Sequence, residues 1–544
     1  MSILEEAAAW ISSLRLDDIP PRIVEKTRHQ ILNILAAAAA GTRTEAGQSL
    51  MRAFPDGQDE KRVIPRGGRS SLEEAILVGC SLSMTMDYDD YLFLGHTGHS
   101  AVMSSLLLGN REGLRLSQVI PAVVAANETA GRLGAATVLG PRNGQMWSYI
   151  HLAGGAAAAS RILGLDRERT THALALALYQ PVLPLYPGFM GGESKVLTAA
   201  SPTVLGVQAA LMGAAGLKGN PDIAEGEGGF LDELSFLPAT FFLNGWGRSW
   251  VSDTLAYKPY PGCAYLDTTL DAWDEIKRDF LRDTGKPPVS DEIEGTEVEA
   301  SLLTIGMDDL SRTYRGASPL SPVNINFSVA TSLALAIFNG RLTPGCLQPS
   351  YLEEHRREIM DLASKTRLSH DWAATFELLE TLNSTLDLPA ALGRFSPAEL
   401  LSLRRDLKGM LVNSDMDWRE ALGAAKAMPS RFKRGLTRAL LRAALHPFKP
   451  RKTSPFDFGG VKLEDLRMPF PARLTLRMKR GREYSARCGI PRGAPGSSSY
   501  LEEVSLKWHR ETDGVLGEKR AERAAEMVLR EDPPVSEILD TMAF

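Results

Sequence analysis

The first half of the chain repeats apolar side chains every three or four positions, and glycine or proline interrupts the pattern. This spacing is typical of helices that bury one face. The pair Pro20 and Pro21 marks one interruption, and Gly41 marks another. The pattern predicts helices over residues 3–14, 23–40, 71–86, 116–133, 151–163 and 170–179. Alanine and glycine dominate many of these faces, so we expect closely packed helices with little sheet.

The pattern changes near residue 262 and changes back near residue 497. Residues 293–303 alternate as a strand does, and residues 473–487 predict a strand, a turn at Arg480-Gly481 and a second strand. Helices are predicted over residues 323–338, 349–365, 501–510 and 516–530. We therefore predict a mainly α protein. It has a large all-helical domain formed by residues 1–262 and 497–544, and a smaller α+β domain formed by residues 263–496.

One inserted segment of the smaller domain, residues 406–460, is locally basic. Its positive charges are Arg431, Lys433, Arg434, Arg438 and Arg442, and a proline-rich stretch follows them. A basic amphipathic helix can lie on a membrane surface or bind a partner. The simpler interpretation, which we favour, is a solvated face on a surface hairpin.

Composition and charge limit the classes of protein that the chain can belong to. It has 544 residues, 44% of them hydrophobic and 23% charged, with a net charge of −5. These values are typical of a soluble globular protein and argue against a nucleic-acid-binding protein, which is normally basic. The four cysteines are far apart, which fits a reducing compartment. No basic region precedes an apolar run at the N-terminus, and the apolar runs are short, so we expect a cytoplasmic protein without a transmembrane segment.

Acid–base side chains concentrate in residues 85–108, whose sequence is TMDYDDYLFLGHTGHSAVMSSLLL. The segment joins two predicted helices, and Ser100 is a candidate cap for the second. It contributes five ionisable candidates: Asp87, Asp89, Asp90, His96 and His99. Three interpretations remain open from the residues alone. The loop is a solvated turn, or His96 and His99 bind a metal with Asp87 or Asp90, or the groups form an acid–base site.

Three further ionisable residues of the same domain lie in apolar surroundings. His151 precedes LAGGAAAAS, Lys195 precedes a long apolar helix, and Lys258 lies between aromatic residues and prolines. A lone histidine is often a satisfied core residue, and such lysines often extend to the surface. Together the three residues favour a pocket.

An ordered set of segments gives the chain a strong resemblance to one family. These segments include IPPRIVEKTRHQILNILAAAAAG, MDYDDYLFLGHTGHSAV, HLAGGAAAASRILGLDRERTTHALALALY, SKVLTAASPTVLGVQAALMGAAGLKGNPDIAEGEGGF, YKPYPGCAYLDTTLDA, SPVNINFSVATSLALAIFNG and RGREYSARCGIPRGAPGSSSYLEEVSLKW. In this order they resemble the MmgE/PrpD family, which includes 2-methylcitrate dehydratase, cis-aconitate decarboxylase and iminodisuccinate epimerase. The resemblance covers nearly the whole chain outside residues 406–460.

The resemblance implies a helical domain built from both chain ends, an α+β lid domain, an active site without a cofactor or metal, and usually a homodimer. Asp87 and His99 match the family's loop aspartate and histidine, and His151 matches the histidine that opens the small-residue helix. Lys195 matches the lysine of the K-x-L-H-x-G motif and Lys258 the lysine of the K-x-Y-P motif. These five are the predicted catalytic residues.

The chain departs from the family pattern at four positions. Thr198 stands where the K-x-L-H-x-G motif has histidine, and Ala200 replaces its glycine. Cys263 stands where cis-aconitate decarboxylases have histidine, and Tyr91 stands where threonine is usual. Tyr91, Thr198 and Cys263, together with His96, are the predicted substrate-binding residues. The departures imply a less heavily carboxylated or bulkier acid than the family's usual substrates.

The resemblance implies a lyase that acts on a small di- or tricarboxylic acid, with lysines holding carboxylates and His and Asp moving protons. We expect a dehydratase of the 2-methylcitrate type. A decarboxylase of the cis-aconitate type or an epimerase is the nearest alternative within the family. Two other classes remain: a metal-dependent hydrolase that uses the loop residues, and a non-catalytic protein that binds a partner through the basic segment.

Overall fold

A computed structural model gives the fold of the chain. It describes residues 1–55, 71–93, 95–141, 147–315, 320–393 and 457–543, together with Phe395, Gly423, Lys426, Met428, Ser430 and Arg434. Most of the basic segment over residues 406–460 therefore lies outside the described residues. The described chain divides into two compact units. The first comprises Met1–Pro261 and Ser498–Phe544, and the second comprises Gly262–Ser497.

The first unit is a bundle of helices with one very short pair of strands. In chain order its first helices are α1 (Ile3–Ser13), α2 (Pro21–Gly41), α3 (Glu45–Ala53), α4 (Leu72–Met84), α5 (Gly98–Arg111), α6 (Leu116–Ala136), α7 (Ser148–Ile162), α8 (Arg167–Leu178), α9 (Tyr186–Gly191), α10 (Leu197–Ala214) and α11 (Phe230–Leu234). Strand β1 (Asp90–Tyr91) pairs antiparallel with β2 (Ala256–Tyr257). The prediction of an all-helical domain missed this pair.

Helices and one sheet make up the second unit. Its helices are α12 (Asp267–Thr284), α13 (Leu302–Thr313), α14 (Pro322–Ile325), α15 (Val329–Asn339), α16 (Pro349–Glu354), α17 (Arg356–Ser364), α18 (Trp372–Leu386) and α19 (Leu388–Leu392). Its strands are β3 (Ile293–Ala300), β4 (Thr366–His370), β5 (Ala472–Met478) and β6 (Glu483–Cys488), in the order β4-β3-β5-β6. Strand β4 runs parallel to β3, and the other two pairings are antiparallel.

The C-terminal helices belong to the first unit. They are α20 (Glu502–Leu516), α21 (Glu518–Arg530) and α22 (Val535–Thr541). Helices α20 and α21 contact α2, so the two chain ends share one core. The fold is thus mainly α with a smaller α+β part, and the predicted fold class is confirmed.

Small residues let the central helices of the first unit approach closely. A Cβ atom built on Gly206 of α10 would lie 2.2 Å from the backbone oxygen of Leu152 on α7, and one on Gly155 would lie 2.7 Å from the oxygen of Thr203. Only glycine fits at such distances. The segment Glu193–Ala214, which contains α10, is long and apolar enough to cross a membrane, but 61% of its 18-residue apolar window is buried within the protein. It packs against α4, α7 and α8 as a core helix.

Candidate active site

The loop after α4 presents the first carboxylates of the candidate site. Asp87 has a positive φ of 50°, a conformation that aspartate tolerates better than most residues. The backbone N–H of Lys258 donates to the carbonyl of Asp89 at 3.1 Å, just beyond the pairing of Asp90 with Tyr257. The short ladder therefore fixes the aspartate loop against the segment that carries Lys258.

Both candidate lysines are buried and bound to these aspartates. The Lys195 ammonium donates to Asp87 Oδ2, and it lies 4.9 Å from the centre of the Phe189 ring. The Lys258 ammonium donates to Asp89 Oδ1 at 2.6 Å and to the carbonyl of Asp87 at 2.9 Å. Asp87 thus contacts both lysines, through its carboxylate and its carbonyl respectively. Each lysine is therefore already paired with a carboxylate of the protein.

Two histidines converge on the other oxygen of Asp89. His96 Nδ1 lies 2.8 Å from Asp89 Oδ2, and His99 Nε2 lies 3.1 Å from the same atom. Burial alone would raise the pKa of the Asp89 carboxyl, but Lys258 and the two histidines hold it well below its usual value. The second nitrogen of His99, Nδ1, lies 2.8 Å from Ser83 Oγ. Both ring nitrogens of His99 therefore face protein oxygens.

His96 is held in one orientation as well. Its Nδ1 also lies 2.8 Å from the carbonyl oxygen of Asp90, and only 12% of its side chain is exposed. Because both neighbours of Nδ1 are acceptors, this nitrogen carries a hydrogen. Burial lowers the pKa of His96, and the positive charge of Lys258 lowers it further.

His151 lies beside this group on the first turn of α7. Its ring centre is 6.1 Å from that of His99, and its Nδ1 lies 2.9 Å from Ser100 Oγ. Burial, followed by the proximity of His99 and His96, holds its pKa well below the ordinary histidine value. The imidazole is therefore neutral near pH 7, a state in which it accepts a proton.

Asp90 has a different environment from its neighbours. Its Oδ1 accepts the backbone N–H of Gly98, the first residue of α5, at 3.1 Å. Burial and the nearby charge of Asp89 raise the pKa of its carboxyl to about 6. Asp90 thus serves the start of α5, a place where a carboxylate is favoured by the helix dipole. Ser100, predicted as the cap, instead lies inside the helix, which begins at Gly98 after Thr97.

The predicted metal alternative has no support in this geometry. In the ranges that the structure describes, no three His, Cys, Asp or Glu side chains are grouped so that they could hold a metal ion. The histidine nitrogens point at Asp89, and the Asp90 carboxylate points at a helix end.

Lys507 is a buried residue of this region that the sequence analysis missed. It lies on α20, and its ammonium donates to Asn33 Oδ1 at 2.8 Å and to the carbonyl of Tyr88. The same ammonium lies 3.8 Å from the centre of the Tyr88 ring. Burial lowers its pKa to about 7. Its position in the sequence could have indicated this burial, because Lys507 lies one turn beyond Glu503 on the face of α20 that also buries Trp508.

Of the remaining predicted substrate-binding residues, Tyr91 and Thr198 lie in the first unit and Cys263 lies in the second. Tyr91 is buried in β1, with its ring centre 6.4 Å from that of His96. Thr198 is buried near the start of α10, three positions after Lys195. Cys263 belongs to the second unit, where its N–H donates to the carbonyl of Asn326 at 2.9 Å. The structure thus brings together one group in the first unit, which we call the Asp–Lys–His cluster: Asp87, Asp89, His96, His99, His151, Lys195 and Lys258.

Comparison with known proteins identifies a family for the N-terminal part of the chain. The family model described as the MmgE/PrpD N-terminal domain matches residues 5–238, a range that contains every member of the cluster except Lys258. This match and the relatives described below support the MmgE/PrpD family for this chain.

Three similar proteins are named as cis-aconitate decarboxylases or as a decarboxylase-like protein. Cis-aconitate decarboxylase of Aspergillus terreus (strain NIH 2624 / FGSC A1156) is 24% identical over 68% of this chain and 78% of its own length. Cis-aconitate decarboxylase-like protein oryM of Aspergillus oryzae is 26% identical over 47% of this chain and 54% of its own length. Cis-aconitate decarboxylase of Homo sapiens is 25% identical over 53% of this chain and 62% of its own length. The similarity supports an enzyme of this family.

Proposed function

We propose that the protein is a lyase that acts on a di- or tricarboxylic acid, with the Asp–Lys–His cluster as its acid–base machinery. The observation that carries the proposal is the neutral, buried His151 beside a connected set of two carboxylates, two ammonium groups and two further histidines. Such clusters of perturbed ionisable groups mark functional sites more often than structural ones.

The two histidines predicted as catalytic have different surroundings, and we propose different roles for them. Both nitrogens of His99 face Ser83 and Asp89, so its role is to orient the cluster and balance its charge. His151 differs from His99, because the hydrogen-bond partner that the described residues give its ring, Ser100 Oγ, lies at Nδ1. We therefore assign proton exchange with the substrate to His151, a contribution of roughly 10²–10⁴-fold for a positioned acid or base.

The lysines supply positive charge, but each ammonium group is also paired with an aspartate of the protein. A substrate carboxylate approaching Lys195 would share its ammonium with Asp87, and one approaching Lys258 would share it with Asp89. Cations placed where negative charge develops are often the largest single catalytic contribution. In this site the aspartates hold those cations in position before the substrate arrives.

Dehydration is the reaction that a neutral His151 favours. The imidazole removes the proton next to a carboxylate, and the electron pair of that C–H bond forms the carbon–carbon double bond. The C–O bond breaks, and the departing hydroxyl takes a proton from a cation of the cluster and leaves as water.

Decarboxylation is the second candidate, because the relatives described above are named cis-aconitate decarboxylases. There the bond to a carboxylate breaks, carbon dioxide leaves, and the remaining electron pair takes a proton at carbon. This route needs a proton donor at the reacting carbon. Because His151 is neutral, a lysine ammonium of the cluster would supply that proton.

Product analysis tests the proposal and separates its two reactions. Purified protein is incubated with 2-methylcitrate, citrate and cis-aconitate and followed by NMR in D₂O. Dehydration predicts a new alkene signal with all carboxylates retained, and decarboxylation predicts the loss of one carboxylate. Epimerisation predicts only exchange of the proton next to a carboxylate. Folded protein that neither converts nor exchanges any acid of this class would contradict the proposal.

A further inference from the structure

A serine fixes the proton of the residue that the proposed function places closest to the chemistry. Ser100 Oγ lies 2.9 Å from His151 Nδ1 and 3.1 Å from the carbonyl oxygen of Thr97. A hydroxyl has one hydrogen, and a carbonyl oxygen can only accept. With the hydroxyl hydrogen directed at Thr97, as in the ordinary hydrogen bond of a helical serine, Ser100 Oγ is left as an acceptor for His151. Nδ1 must then be the nitrogen that carries the hydrogen.

The other ring nitrogen follows from the charge of the ring. A neutral imidazole has one N–H and one lone pair, and which nitrogen holds which is set by the hydrogen bond at the opposite side. Because His151 is neutral, the hydrogen at Nδ1 leaves the lone pair on Nε2.

We propose that Ser100 is a positioning residue that holds His151 as the Nδ1–H tautomer and so presents Nε2 as the proton acceptor. The catalytic meaning of this assignment rests on the proposed function. The position of the proton itself is a property of the resting protein and is measurable without any substrate.

The packing of α5 on α7 keeps the hydroxyl in place. Ser100 and His151 are both buried, and a Cβ atom built on Gly154, one turn along α7 from His151, would lie 3.0 Å from Ser100 Oγ. Serine hydroxyls in helices commonly bond a carbonyl one turn back, which by itself has no functional meaning. The additional acceptance from a buried histidine on a second helix distinguishes Ser100 from that ordinary case.

Ser104 provides a matched control on the same helix. It is also buried, and its Oγ donates to the carbonyl of Ser100 at 2.5 Å without contact to a histidine in the described chain. Replacing either serine by alanine removes one buried hydroxyl from α5. Only Ser100→Ala removes the acceptor for His151.

The test is ¹⁵N NMR of histidine-labelled protein, with the His151 signals assigned by their loss in His151→Asn. In the wild type we expect a protonated Nδ1 and an unprotonated Nε2 for His151. Ser100→Ala is expected to mix or reverse the two forms, and Ser104→Ala to leave them unchanged. On a substrate that the product analysis identifies, Ser100→Ala should lower turnover about tenfold, less than the ~10²–10⁴-fold that a whole acid or base contributes.

Two results would overturn the inference: an unprotonated Nδ1 in the wild type, or an unchanged His151 pattern in folded Ser100→Ala. Should that variant not fold, the wild-type spectrum and Ser100→Thr, which keeps the hydroxyl, still decide the proton position. A wild-type protein with the predicted tautomer but no activity on any acid would leave the inference standing and contradict the proposed function instead.

Discussion

Lys195 and Asp87 show what the candidate site requires of individual residues. Both side chains are almost completely buried, and their charges are paired with each other although 108 positions separate them in the chain. Removing water from two charges is costly, and the cost is offset only while both partners are present. The pair is therefore stable as a unit and unstable when broken.

This pairing predicts an asymmetric effect of substitution on stability. Lys195→Met leaves the Asp87 carboxylate buried without its cation, and we expect the free energy of unfolding of the first unit to fall by ~3–5 kcal/mol. Adding Asp87→Asn to that variant should restore a substantial part of the loss, because the unpaired charge is gone. Chemical denaturation followed by tryptophan fluorescence measures both changes.

A surface pair provides the control for that experiment. Arg111 and Glu112 form an ion pair in which the side chains are 42% and 39% exposed. Arg111→Ala should change the free energy of unfolding by no more than about 1 kcal/mol. The account of the Lys195 pair is wrong if Lys195→Met is as mild as Arg111→Ala, or if the double variant is less stable than the single one.

At the scale of single residues, the sequence predicted the members of the cluster but not which lysine forms an ion pair with which aspartate. The family resemblance selected Asp87, His99, His151, Lys195 and Lys258, whereas the residue types and their apolar surroundings alone left a solvated loop and a metal site open. The sequence also suggested lysines that extend to solvent or wait for a ligand, because a lysine's partner across 108 or 169 positions leaves no local pattern. The role of Asp89 as the shared acceptor was missed for the same reason.

Helix α20 is the element whose contribution is clearest. It comes from the C-terminal end of the chain, packs on α2, and places Lys507 against the carbonyl of Tyr88, between Asp87 and Asp89. The aspartate loop is thus held from two directions, by β2 with Lys258 and by α20 with Lys507.

Lys507 predicts a pH dependence of stability. Its pKa is about 7 in the folded protein and near 10.5 in the unfolded chain, so the unfolded chain binds more protons between those values. Stability therefore rises with pH across that window by up to ~1.4 kcal/mol per pH unit for this one proton. Below pH 7 both states are protonated, and the contribution no longer changes with pH.

The measurement is the difference in unfolding free energy between wild type and Lys507→Met at pH 7.5 and 9.5. We expect the wild type to gain stability relative to the variant as the pH rises. Lys519→Met, on the solvent-exposed start of α21, is the control and should follow the wild type. A pH-independent difference between wild type and Lys507→Met would show that the folded pKa is not lowered.

Elements were predicted well where apolar spacing is regular and less well where it is interrupted. The single helix predicted over residues 323–338 is two helices, α14 and α15, which are separated near Phe327. Strand β4 was missed because it is only five residues long and has no alternation of burial: Arg367 is exposed and the other four residues are half-buried. The prediction that residues 293–303 form a strand fails at its end, where Ser301 precedes helix α13.

On the scale of the whole molecule, the family resemblance implies a homodimer, and an exposed apolar face on α10 is where we expect it to form. Leu197, Leu205 and Met212 are spaced to share one side of this helix, and each is between 42% and 43% exposed. Single exposed apolar residues need no explanation, but three on one side of a helix favour an interface.

Leu205→Glu tests this expectation by introducing a charge into the row. Light scattering after gel filtration should show a dimer for the wild type and a monomer for the variant. Leu281→Glu is the control, because Leu281 is similarly exposed at 47% but lies on α12 of the second unit. A wild-type monomer, or a dimer that Leu205→Glu leaves intact, would contradict the expectation.

The most direct test of the central claim compares His151→Asn with His172→Asn by NMR on the panel of 2-methylcitrate, citrate and cis-aconitate. His172 lies on the neighbouring helix α8 and contacts the carbonyl of Gly219, outside the cluster. The account predicts that His151→Asn stays folded and loses ~10²–10⁴-fold in turnover, while His172→Asn keeps the wild-type rate. Equal rates for folded His151→Asn and wild type would contradict it.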